Sequence, residues 1–138
     1  HSGEGNGYIS LVSQTGEGWG LGCGVLRIAH RTLDLSAITG DYVLAIVYKT
    51  PANNATTTAK FTLYSTSAAG PEIAKEVSGN TNGEWKLVEY KMADLFAAGL
   101  DWSTPWSASV KEAMYSIGLL INGIGNGLDI DAILIYEK

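Results

Sequence analysis

Period-two alternation recurs along this chain from one end to the other, and no stretch of helical period lasts beyond two turns. YISLVSQ (8–14) alternates and turns polar at its end. WGLGCGVLRI (19–28) sets Trp19, Leu21, Cys23, Val25 and Arg27 on one face, and Gly20, Gly22, Gly24 and Leu26 on the other. YVLAIVYK (42–49) is apolar on both faces, which predicts a central strand covered on both sides. KFTLYST (60–66) separates Phe61 and Leu63 from Lys60, Thr62 and Tyr64. EWKLVEYKM (84–92) follows the turn signal NTNG, and EAMYSIGLLIN (112–122) and LDIDAILIYEK (128–138) flank the turn GIGNG. Only ADLFAAG (93–99) reads as helical, with Asp94 placed to cap it and Gly99 to stop it. Seventeen glycines supply the tight turns that many short strands need. Seven or eight such strands, with no helices alternating between them, predict an all-β, antiparallel β-sandwich of jelly-roll type.

The 138 residues suffice for one ordinary domain with a real core. Residues 8–138 are read as that single domain, and HSGEGNG (1–7) as a flexible lead or an artificial remnant. A net charge of -5 argues against nucleic acid, because phosphate binding needs clustered Lys and Arg. Apolar runs such as Ile117 to Ile121 are too short to span a bilayer as a helix, so no membrane partner is expected. The single cysteine, Cys23, excludes an internal disulfide.

Three segments together resemble the β-sandwich carbohydrate-binding modules of plant-polysaccharide-degrading enzymes. LDLSAITGDYVLAIVYKT (33–50) is similar to their short turn leading into an apolar strand. NGEWKLVEYKMADL (82–95) resembles their passage of turn, Trp, alternating strand and short helical turn. GLDIDAILIYE (127–137) resembles their closing strand. The resemblance implies a secreted, non-catalytic, monomeric module attached to a catalytic domain, which it would hold on plant cell-wall polysaccharide. The expected ligand is a β-1,4-glucan, a mixed-linkage glucan or xyloglucan. It also implies a structural Ca²⁺ between the N-terminal segment and the last strand. Such an ion needs six to eight oxygen ligands. Asp131 matches that position best, Glu4 and Asn6 lie in a lead that can supply more, and Asp34 is a further candidate. The alternatives are a small glycan hydrolase or lyase on the same sandwich, or a protein-interaction domain of a secreted assembly.

A pyranose ring presents a flat patch of slightly positive C–H bonds, which stacks on the negative face of an aromatic ring. A sugar site therefore needs exposed aromatics beside small polar groups. In DWSTPWSAS (101–109), Trp102 and Trp106 flank Pro105, which stiffens the loop, and Asp101 adds a polar group. The opposing reading is a loop that plugs one end of the sandwich with an indole. Trp85 shares its strand parity with Leu87, Glu89 and Lys91, opposite the core-like Val88, Tyr90 and Met92. A face carrying Trp85 and Glu89 is a candidate sugar platform. Tyr64 and Lys60 share a polar face on an earlier strand and are further candidates. Enzyme chemistry has little support. His30 has no obvious partner, and no Gly-x-Ser-x-Gly elbow, HExxH or phosphate loop occurs.

Overall fold

The structure, a computed structural model, describes residues 7–12, 21–25, 34–52, 58–66, 72–105, 117–121 and 127–138. Among them are eight strands: β1 (Ile9–Val12), β2 (Leu21–Val25), β3 (Tyr42–Lys49), β4 (Thr58–Tyr64), β5 (Glu72–Ser78), β6 (Lys86–Lys91), β7 (Ile117–Ile121) and β8 (Gly127–Glu137). One helix, α1 (Met92–Ala97), follows β6 directly. The strands form two antiparallel four-stranded sheets, ordered β1-β8-β3-β6 and β2-β7-β4-β5. Strand partners run β1 with β8, β2 with β7, β3 with β6 and β4 with β5. That is one long hairpin, with its tip between β4 and β5, rolled into a sandwich: the jelly roll.

Between the sheets lie Leu44, Ile46 and Tyr48 of β3, Ala59, Phe61 and Leu63 of β4, and Leu128 and Ile130 of β8. Burial of such side chains contributes roughly 1.5–3 kcal/mol each. Tyr48 and Phe61 meet edge to face across the core, ring centroids 5.6 Å apart. β3 is central, as its apolar sequence predicts, and its burial is nearly continuous. Strand β5, EIAKEVS, is an addition to the sequence reading. Its Ile73 and Val77 pack on the core, while Glu72, Ala74, Glu76 and Ser78 are exposed. Charged residues of this kind suit a sheet edge.

Helix α1 corrects one expectation. Its N-cap residue is Lys91, and no side chain caps it; Asp94 lies inside the first turn. The C-terminal expectation stands. Gly99 takes φ 104°, its amide bonds the Phe96 carbonyl at 2.9 Å, and the Leu100 amide bonds the Leu95 carbonyl at 3.0 Å. This pair of bonds is a Schellman closure, in which glycine tolerates the left-handed conformation. Buried Leu100 then turns the chain back onto the core.

Strand β8 is interior to its sheet, between β1 and β3. Val47 faces Ala132 and Tyr48 faces Ile130, which leaves half-buried Asp131 as the extra residue of a β-bulge.

Candidate functional site

The outer face of the β1-β8-β3-β6 sheet is ordered by register into rows. Val43 lies between Lys91 and Tyr136, Ala45 between Glu89 and Leu134, and Val47 between Leu87 and Ala132. Lys49 faces Asp129, which in turn faces Ser10. Val43 and Ala45 are buried although they do not belong to the core between the sheets. They form a covered floor, flanked in each row by longer side chains. Leu87, Leu134 and Tyr136 stand exposed on that face.

At one end of the floor, Trp85 and Tyr8 reach in from opposite sheet edges and meet edge to face. Their centroids are 5.5 Å apart and their planes cross at 75°. Both rings stay open to solvent, Trp85 at 42% and Tyr8 at 50% exposure. The Lys49 ammonium lies 4.5 Å from the Trp85 ring centre and 5.0 Å from that of Tyr8, within cation–π reach of both. Asp129 binds the same ammonium at 3.4 Å. At the other end the Tyr136 hydroxyl donates to Glu89 Oε1, and Lys138 Nζ donates to Glu89 Oε2 at 3.0 Å. The Tyr136 bond, then the Lys138 bond, hold the Glu89 carboxyl below its ordinary range. The same pairing raises the Tyr136 phenol and the Lys138 ammonium. As a carboxylate Glu89 only accepts, and here it faces two donors. Exposed apolar side chains, Tyr8, Trp85, Leu87 and Leu134, thus share one side of the molecule with paired donors and acceptors.

The structure redistributes the residues expected from sequence. Trp85 and Glu89 do share this face. Trp102 does not stack outward: it is 2% exposed, its indole N–H donates to the Tyr64 carbonyl at 2.9 Å, and it meets Phe96 edge to face. The loop is a plug at this residue, because an indole with its N–H satisfied is more stable inside than out. Asp101 is likewise engaged locally. Its carboxylate accepts from the Ser103 amide at 2.9 Å and the Ser103 hydroxyl at 2.6 Å, bonds that lower its pKa. Its backbone carbonyl accepts from the Thr66 amide at 2.8 Å, and its amide donates to the Ser65 hydroxyl at 3.0 Å. Tyr64 and Lys60 lie on the outer face of the other sheet, where Lys60 pairs with Glu76 at 3.8 Å and Tyr64 faces Glu72. They cannot line one site with Trp85 and Glu89. Burial, and then Glu72, raise the half-buried Tyr64 phenol. Trp106 lies outside the described residues.

Glu4 and Asn6 also lie outside the described residues. Asp34 holds the Ser36 amide at 2.9 Å in a tight turn, and bonds to Ser36 lower its pKa. Asp131 lines a cleft of about 250 Å³ with Gly7, Tyr8, Ile9, Ile130, Ala132 and Ile133. Among the described residues no three His, Cys, Asp or Glu side chains gather around a common point. Asp131 is the one carboxylate among the described residues that line this cleft, and a Ca²⁺ shell there would need further oxygens from the segment that carries Glu4 and Asn6.

Sequence reasoning missed Tyr8, Lys49, Asp129, Leu134, Tyr136 and Lys138. Parity within β8 would have grouped Leu134 with Tyr136. The approach of Tyr8 to Trp85 depends on strand order, which no local pattern carries.

No family model matches the chain, and no curated protein does. Among solved structures it is similar to "Family 16 Carbohydrate Binding Module-2", at 16% identity and TM-score 0.42, with 94% of this chain and 76% of that one covered.

Proposed function

We propose that the chain is a non-catalytic carbohydrate-binding module that receives a neutral glycan along the outer face of the β1-β8-β3-β6 sheet. One observation carries this reading: two solvent-open aromatic rings, Trp85 and Tyr8, stand on one sheet face beside hydrogen-bonding ion pairs. Ring stacking would hold the sugar's C–H face, and Glu89, Lys138 and Tyr136 would exchange hydrogen bonds with hydroxyls. From Trp85 to Lys91 the strip runs about 20 Å at a strand rise of ~3.3 Å per residue, enough for several sugar rings. An open strip of this length suits an internal segment of a long chain, for which we favour β-1,4-glucan, mixed-linkage glucan or xyloglucan. Attached to a secreted glycoside hydrolase, such a module raises the enzyme's local concentration on the cell wall.

Affinity electrophoresis across soluble plant polysaccharides tests the reading. Retardation by a β-glucan, lost in Trp85→Ala, supports it. Migration unaffected by every glycan moves the assignment to a protein-interaction domain. Sustained release of reducing ends from any glucan rejects the non-catalytic role.

A further inference from the structure

The rings of the platform stand above an ion pair, and that pair has a job of its own. Tyr8, Asp129, Lys49 and Trp85 come in order across the sheet from the segment entering β1, from β8, from β3 and from the segment entering β6. The Lys49 and Asp129 side chains are only 21% and 11% exposed, far less than the rings. The ammonium thus lies beneath the aromatic pair, locked from the side by the carboxylate. Trp85 and Tyr8 each sit just outside the end of a strand, where the ladder does not fix a side chain. Something else must hold two rings at 75° over a strip that both approach from opposite edges.

We propose that Lys49 and Asp129 are positioning residues of the platform: the anchored ammonium, shared between two π faces, fixes Trp85 and Tyr8 in the arrangement that receives ligand. The inference rests on the glycan reading for its consequence, but its geometric content stands separately. A cation between two rings attracts both through their quadrupoles, and the attraction grows when the cation is shielded from water. Asp129 keeps the ammonium from swinging into solvent. Rings already ordered lose less freedom when a ligand lands on them.

The test is Lys49→Met, which keeps most of the stem and removes the charge, with Lys49→Arg as the charge-retaining control. NMR cross-relaxation between the Tyr8 and Trp85 rings reports the geometry. Electrophoretic affinity for the retarding β-glucan reports the consequence. Lys49→Met is expected to lose the ring-to-ring signal and to bind roughly tenfold more weakly, the scale of a shielded cation–π contact. Lys49→Arg should keep the signal, and Asp129→Asn should weaken it. Wild-type ring contacts and wild-type affinity in Lys49→Met would overturn the proposal. A lowered melting temperature with both readouts intact in the folded protein also overturns it, because the lysine is then merely structural. If the parent retards on no glycan, the functional reading fails. The ring signal alone then decides: its loss in Lys49→Met supports positioning, and its retention rejects it. Should Lys49→Met not fold, Asp129→Asn and Lys49→Arg carry the same two readouts, and identical signals in parent, Arg and Asn variants overturn the proposal.

Discussion

Trp85 and Trp102 divide between them the two things an indole can do. Trp102 is sealed, with its N–H bonded to the Tyr64 carbonyl. Trp102→Ala is therefore expected to cost about 3–5 kcal/mol of stability, read from urea unfolding. Trp85→Ala should leave the urea midpoint nearly unchanged and weaken glycan binding by about 1–3 kcal/mol, the range for aromatic stacking on flat rings. A large stability loss in Trp85→Ala would make it structural and remove the platform. Tyr90 offers a further test at this scale. Its hydroxyl is buried with no hydrogen-bond partner among the described residues. Burial, and then Tyr48, push its phenol up to about 12 from 10.0. The unfolded phenol thus loses its proton first. Tyr90 adds no pH dependence below pH 10, and stability falls as the pH climbs from 10 to 12, because only the unfolded phenol ionises there. Tyr90→Phe removes an unpaired buried hydroxyl, so it should gain about 1 kcal/mol at neutral pH. It should also flatten the fall in melting temperature across that alkaline window. A Phe variant that is less stable than the parent at pH 7 would mean that the hydroxyl has a partner.

Elements were legible where sequence period and burial agree. The core parity of Val88, Tyr90 and Met92 placed Trp85 and Glu89 on the opposite face, and the structure keeps that division. Strand β5 was not legible, because Glu, Ala and Lys satisfy a strand's alternation and a helix's composition equally well. The loop at 101–105 misled because Ser, Thr, Asp and Pro look wet. Here they bond one another and Thr66, whose hydroxyl lies 3.0 Å from that of Thr104, and so fold an indole inward. A comparable staple ties β3 to the turn before β6. The Thr50 amide donates to Thr81 Oγ1 at 2.9 Å, and the Thr81 amide donates to Thr50 Oγ1 at 2.8 Å, all of it buried. The turn that follows uses Asn82 and Gly83 at φ 53° and 77°, a conformation only such residues adopt readily. It delivers Trp85 to the sheet edge. Thr81→Val leaves the Thr50 amide buried without its acceptor, so it should cost about 1–3 kcal/mol by urea unfolding. If the staple also aims Trp85, glycan affinity should fall in the same variant. A stability loss with unchanged affinity would confine the staple to folding.

At the scale of the molecule, the site exists because the roll closes. Tyr8 belongs to the lead into β1, and Lys49 and Trp85 flank the middle legs. Asp129 comes from β8, which pairs with both β1 and β3. No local segment contains the site, which is why sequence reading reached Trp85 and Glu89, which share one segment, without Tyr8, Lys49 and Asp129. The same topology governs how the chain must fold. The β4 and β5 leg closes a short loop, whereas β1 and β8 join the two ends of the described chain. Loop closure entropy rises with length, so the inner leg should form first and the outer leg last. Contacts this distant in sequence predict refolding in milliseconds to seconds, as for other sandwiches. Phe61→Leu in β4 should then slow refolding in stopped-flow experiments, with little effect on unfolding. Ile130→Ala in β8 should chiefly speed unfolding, because its contacts form after the barrier. The opposite assignment, a slowed refolding arm for Ile130→Ala alone, would mean that the termini meet early and that the platform is assembled before the hairpin tip.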